Sequence, residues 1–451
     1  MPLSVQRLFS RPRVRALAVP VLTVLLLVGT GLTPWYRGAT PTVLVLLLLA
    51  VSLVTAGRLL RRHAVRSAAG ESARVAVTRP ILELVLQLAP VLLLTVAFPA
   101  AVSRISTAQV GGVPLTTVLL ASSLTVPWLS MAVCLPLYRG IGHLLPATDA
   151  RPIRSRLAEV LPTTFLQTAP AVLVFAVPVA LVMRWSVSAL LAYVVLCLLH
   201  AAFAQSLVLA NVTRDRILWA SAWAAYAAVL LLVPQAWFLP PVAGILTQLV
   251  PLRHEVRRMR RPARLEHADV AVDVFRGLLA GAVLWAHLLF LFLRTRGDFS
   301  VDTLFLAILP AVVAYNYYFV RLAPTFDDAV LRFRDAMEHE PHARLHERSR
   351  LLAAVVGGSV RRTGLVGALL GFGVTVALGS QRDVSIAFVA AVAVASWLFL
   401  MTTLLCYKLD YIGQRREADV LNGAHLVVSA VAFLVLPPGP VVYLGLIAAE
   451  L

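Results

Sequence analysis

Charge is in short supply. Only 14% of the 451 residues are Asp, Glu, Lys or Arg, against about 25% in a soluble globular chain. Apolar and aromatic residues make up 60% and the mean hydropathy is +0.85. A soluble enzyme, a secreted disulfide scaffold and a disordered tail protein are excluded. Lysine is almost missing: 39 of the 40 basic residues are arginine, leaving Lys408 alone. G-x-x-x-x-G-K-[ST] occurs nowhere, so no phosphate loop is present to power transport directly. The three cysteines, Cys134, Cys197 and Cys406, each sit in an apolar run without a CxxC neighbour, which suggests neither a disulfide framework nor a thiolate metal site. A D-x-D pair and any recognisable nucleophile–base constellation are missing too. Neither an enzyme nor a cofactor or metal site is expected. What remains is moving, gating or scaffolding something at a membrane.

What is there is a succession of apolar runs, most of them long enough to cross ~30 Å of hydrocarbon at 1.5 Å per residue. The candidate spans are 15–35, 40–57, 80–103, 113–137, 161–183, 186–211, 217–234, 236–252, 274–293, 302–322, 353–378, 384–406, 420–436 and 438–451. They pair into seven hairpins, and the last span is short. The reading is an all-α polytopic membrane protein with about 14 transmembrane helices. The basic residues orient it. Thirty-four of the 40 lie in the N-terminal segment and between hairpins, and six lie in the turns within hairpins. That asymmetry predicts a cytoplasmic N-terminus in the inner, cytoplasmic membrane. It also accounts for the net charge of +18 without a nucleic-acid partner. The first apolar run continues into a full hairpin and is not expected to be a cleaved signal.

Strongly polar side chains at mid-bilayer cost about 2.5–3.5 kcal/mol each and are functional candidates by default. His200, His287 and Asn316 fall at comparable depth, around 20 Å from one surface. His287 follows Trp285, and Asn316 follows Tyr315. Together they can line a hydrated cavity in which histidine titrates and aromatics stack on sugar rings, or they can simply join helices at about 0.6 kcal/mol per hydrogen bond. Glu83 and Gln87 share one face near the inner end of the third span and form a candidate proton or cation site, or a snorkelling pair. Gly277-x-x-x-Gly281 and Gly367-x-x-x-Gly371 permit close helix approach.

Two connections differ in kind. Residues 253–264 hold six arginines, among them Arg257, Arg258, Arg260 and Arg261, and can grip anionic lipid headgroups or mark topology. Segment 324–350 is nearly charge-balanced. Its Phe326, Val330, Phe333 and Met337 recur at helical spacing, which predicts an amphipathic helix stopped by Pro341. That helix can dock a cytoplasmic glycosyltransferase.

The order of these features resembles the PelG-like family of exopolysaccharide transporters, in the multidrug/oligosaccharidyl-lipid/polysaccharide exporter superfamily. The resemblance covers about residues 80–451. It rests on Leu115–Tyr138 followed by a basic connection, on Trp285-Ala286-His287-Leu288, on Leu309-Pro310-Ala311 through Ala323-Pro324-Thr325-Phe326, and on Cys406-Tyr407-Lys408-Leu409-Asp410 through Tyr443-Leu444-Gly445. The family's W-x-D-K here reads Trp-Ala-His-Leu, and its E-T-x-F reads Ala-Pro-Thr-Phe. The resemblance implies two six-helix lobes, 80–252 and 274–451, joined by the basic 253–273 connection and preceded by an extra N-terminal hairpin in 1–79. It further implies export of a polysaccharide or lipid-linked glycan by alternating access. A non-transporting scaffold for a glycosyltransferase, or the permease subunit of an ABC exporter, are the alternatives.

Overall fold

The computed structural model describes residues 82–144, 150–379 and 385–451. The expected N-terminal hairpin and the basic 58–79 connection lie outside the described residues, as does the turn at 380–383. In chain order the first helices are α1 (Ala89–Ile105), α2 (Leu115–Ile141), α3 (Ala150–Thr168), α4 (Val172–Met183), α5 (Val187–Val212), α6 (Arg216–Leu232), α7 (Leu239–Leu249) and α8 (Val256–Met259). There follow α9 (His267–Thr295), α10 (Val301–Tyr317), α11 (Ala323–His339), α12 (His342–Gly379), α13 (Ile386–Tyr411), α14 (Arg415–Val435) and α15 (Pro440–Glu450). Between α1 and α2 a two-residue hairpin pairs Gln109–Val110 with Val113–Pro114. Gly111 and Gly112 turn it with φ of 57° and 80°, the left-handed pair that a tight hairpin needs.

Among the described residues, eight helical stretches are long and apolar enough to cross a membrane, so this is a multi-pass α-helical membrane protein. Four further apolar helices among them, α1, α6, α7 with its following turn, and α15, are shorter. α7 and α15 have 11 residues each and reach only about 16 Å. With its following turn, Leu239–Leu252, the expected span at 236–252 reaches about 22 Å and that at 438–451 about 16 Å, both short of a ~30 Å bilayer core.

Prolines shape two of the long stretches. Pro170 sits in a tight 3-10 turn that joins α3 to α4. Pro324 stands at the junction of α10 and α11, where its ring would clash with a carbonyl one turn back. The wide π turn of Tyr318–Leu322 absorbs that clash. The expected span and the amphipathic segment after it thus run on as one rod, Val301–His339. α11 stops at His339, with Glu340 extended at ψ 149° ahead of Pro341. Residues 342–350 already belong to α12.

Packing divides the chain into two compact units. Among the described residues the larger comprises 89–144, 150–299 and 405–451. At its centre α9 packs against α2 and α14, α2 against α5, and α6 against α1 and α7. A core of Leu137, Ile141, Leu157, Val160, Val208, Leu209 and Leu252 closes the end where α2, α3 and α5 meet. Buried polar side chains tie these helices. Gln205 on α5 donates to Val133 O at 2.8 Å on α2 and to Thr168 Oγ1 at 3.1 Å on α3. Tyr193 and Thr125 share a 2.7 Å hydrogen bond.

The smaller unit comprises 82–88 and 300–404 among the described residues. There α12 packs against α10 and α11. α11 buries Phe326, Val330 and Ala336 and leaves Met337 exposed, so its apolar stripe fades toward its end.

Candidate functional site

The larger unit contains a polar cluster inside its helices. On α14, His425 and Ser429 lie one turn apart on the same face, with Nε2 and Oγ 3.2 Å apart. His425 Nδ1 meets Glu450 Oε1 of α15. From α9, His287 sets its ring edge-on to Tyr443 of α15, centroids 5.9 Å apart. His287, His425, Ser429 and Tyr443 are all buried.

Depth follows from helix arithmetic. His287 is about 12 Å from the Thr295 end of α9, and His425 about 15 Å from the Val435 end of α14. Glu450 is about 15 Å from the start of α15. These three lie about 12–15 Å along their helices, near half of a ~30 Å hydrocarbon core, while Ser429 is about 9 Å and Tyr443 about 4.5 Å from the same ends. Ionisable groups at that depth are expensive and mark ion paths or binding sites far more often than bulk packing does.

A second constellation occupies the ends of α2, α9, α13 and α14. Arg139 reaches Asp273 at 2.7 Å and Asp269 at 3.6 Å. Arg276 donates to Asp410 at 2.7 Å and to Asp419 at 3.0 Å. Arg415 stands 3.6 Å from Asp410. The clasp borders a cavity of about 570 Å³ lined by Arg139, Arg276, Arg415, Arg416 and Asp419, with Val272, Phe275, Leu279 and Val420 as apolar walls.

The other residues singled out by sequence are placed as follows. His200, on α5, bonds Leu196 O at 2.8 Å and the Tyr226 hydroxyl of α6 at 3.0 Å, partners that differ from those of His287. Trp285 is half-buried on α9. Asn316 and Tyr315 belong to the smaller unit. There Asn316 donates to Val312 O of its own helix at 2.8 Å, and Tyr315 packs on Phe319 with centroids 4.7 Å apart. Glu83 lies in the helical residues 82–87 of that same unit.

The basic connection is docked on α3. Ala263 N donates to Glu159 O at 2.8 Å and Thr163 Oγ1 to Ala263 O at 2.8 Å. Arg258 binds Glu159 at 2.9 Å and Glu255 at 2.8 Å, and the Glu159 hydrogen bond raises its guanidinium pKa above the ordinary value. Arg257, Arg260 and Arg261 are exposed. Glu340 is taken by Arg348 at 2.7 Å, which holds its carboxyl below the usual range.

Sequence reading passed over His425, Ser429 and Glu450. His425 carries the signal that flagged His287, a titratable side chain midway along an apolar run. Glu450 carries it more weakly, at the edge of a run. No protein-family model matches the chain, nor does any curated protein or solved structure.

Proposed function

We propose that this protein is a membrane carrier that exports a polysaccharide or lipid-linked glycan by alternating access, in the manner of the PelG-like transporters its sequence resembles. The observation that supports this reading is the buried group of His287, His425 and Glu450, about 12–15 Å along their helices, with Ser429 and Tyr443 beside them. An anchor or scaffold has no need of two histidines and a carboxylate there, at about 2.5–3.5 kcal/mol for each charged group. A carrier driven by an ion gradient does, because it must take up and release charge inside the protein. The glycan comes from the sequence resemblance, and the aromatic partner of His287 suits it.

The test is polymer export by cells carrying H287L, H425L or E450Q, each checked for wild-type membrane levels. Exported polymer is expected to fall to a tenth or less, about the effect of losing a coupling worth 1.4 kcal/mol or more. Undiminished export in all three variants, with loss only on deleting residues 323–339, overturns the carrier reading and leaves a scaffold for a glycosyltransferase. Export that stops only when a separate ATPase is inactivated overturns ion coupling in favour of an ABC permease.

A further inference from the structure

The cavity at the ends of α2, α9 and α14 is a second site with its own chemistry. Its four arginines are not equivalent. Arg139 and Arg276 are occupied by Asp273, Asp269, Asp410 and Asp419. Arg415 approaches Asp410 no closer than 3.6 Å. Arg416 forms no ion pair among the described residues, and its side chain is exposed at the cavity edge. The one carboxylate in the lining, Asp419, is already engaged by Arg276. The mouth therefore presents Arg416, unpaired among the described residues, beside Arg415, which is held only at 3.6 Å by Asp410, and guanidinium is the side chain best matched to phosphate oxygens.

The walls below the mouth are apolar and open. Val272, Phe275 and Leu279 follow one another at helical spacing along α9, and Val420 lies one turn past Arg416 on α14. Val272, Phe275 and Val420 remain 52%, 60% and 62% exposed. Exposed apolar residues on membrane helices face acyl chains rather than water. Read along α14, the arginines come first and the apolar stripe starts one turn deeper. A free anion needs no such stripe.

We propose that this cavity binds a phosphate-headed lipid, its phosphate against Arg415 and Arg416 and one acyl or prenyl chain along Val272, Phe275 and Val420. The site stands independently of the carrier reading, since it uses other residues and makes no claim on export.

Native mass spectrometry of the full chain in detergent tests it, with dioleoyl phosphatidic acid and dioleoylglycerol as probes that share tails and differ in the phosphate. Phosphatidic acid is expected to be retained about fivefold or more over dioleoylglycerol, with R416Q removing about fivefold and R415Q/R416Q more. R416Q breaks no ion pair among the described residues, so it reports on binding even if the double variant folds poorly. F275S is the independent arm and is expected to weaken phosphatidic acid as well. R257Q/R260Q, exposed arginines outside the cavity, is expected to change nothing. Equal retention of the two lipids overturns the proposal, as does a loss in R257Q/R260Q matching that in R416Q. Displacement of phosphatidic acid by millimolar inorganic phosphate, with no effect of F275S, overturns the lipid in favour of a free anion.

Discussion

Two helix joints in this protein use the same parts and meet different neighbours. In the larger unit, α9 brings Gly277 and Gly281 against α2, and Trp128 of α2 donates its indole N–H to Leu278 O at 2.7 Å. In the smaller unit, α12 brings Gly364 and Gly367 against α13, and Trp397 of α13 donates to Gly364 O at 2.8 Å. Each joint is a glycine stripe locked by a tryptophan. The difference lies in what fills the space left by the missing side chain. At Gly277 an added Cβ would stand 2.5 Å from Ala132 Cα and 2.6 Å from Met131 O, which are backbone atoms. At Gly367 it would stand 2.9 Å from Trp397 Cδ1, a side-chain ring atom. Small-xxx-small spacing therefore announces close approach without saying whether the partner can yield.

The sharpest break of that comparison is Gly277→Ala. Two main chains must separate, and the Trp128 indole that spans them then loses its distance to Leu278 O. A loss of about 2–3 kcal/mol is expected, read as a lower midpoint of unfolding by denaturing detergent. A loss under about 0.5 kcal/mol shows that α2 and α9 can slide apart freely and that their joint is loose.

Gly367→Ala sits lower, at about 1 kcal/mol, because an indole can tilt where a backbone cannot. The mechanism shows in a double-mutant cycle. Trp397→Phe costs its own hydrogen bond, about 0.6 kcal/mol or somewhat more in a membrane setting, yet it should offset part of the Gly367→Ala loss, giving a favourable coupling of about 0.5 kcal/mol or more. Trp128→Phe should give no such rescue of Gly277→Ala, since the clash there is with Ala132 and Met131. Equal couplings in the two cycles would erase the distinction between the joints.

The glycine spacing was legible in the sequence, and so were the helices. Apolar runs separated by arginines name most of the elements, because a membrane leaves helices as the main way to satisfy the backbone. Less legible was how runs join. The 302–322 span and the 324–350 segment read as separate elements, and the wide turn of Tyr318–Leu322 lets α10 continue into α11. Length was also hard to read: prolines open both α7 and α15, which come out at 11 residues.

For the candidate site, His287 stood out as a polar residue in an apolar run. Its surroundings did not, because Tyr443 comes from a helix more than 150 positions away and contact order is invisible in composition. Arg139, Asp273 and Asp410 look like ordinary span-end charges. That Arg139 holds Asp273 while Arg276, one turn on, holds Asp410, so that three helices are joined, is tertiary information. Pairing of Glu450 with His425 is of the same kind.

The smallest effect belongs to the fourth glycine of the two motifs, and it tests whether spacing or surroundings governs. Gly371 completes Gly367-x-x-x-Gly371, yet a Cβ there would meet Ala393 Cβ at 3.9 Å, ordinary van der Waals contact. No neighbour must move. Alanine also narrows the unfolded chain's conformational freedom and has the better helix propensity, by up to about 1 kcal/mol. Gly371→Ala should therefore be neutral or stabilising by a few tenths of a kcal/mol, measured in the same detergent titration. If instead it costs as much as Gly367→Ala, then α12 and α13 approach more closely at Gly371 than at Trp397. The yielding indole would not be what separates the smaller unit's joint from the larger unit's.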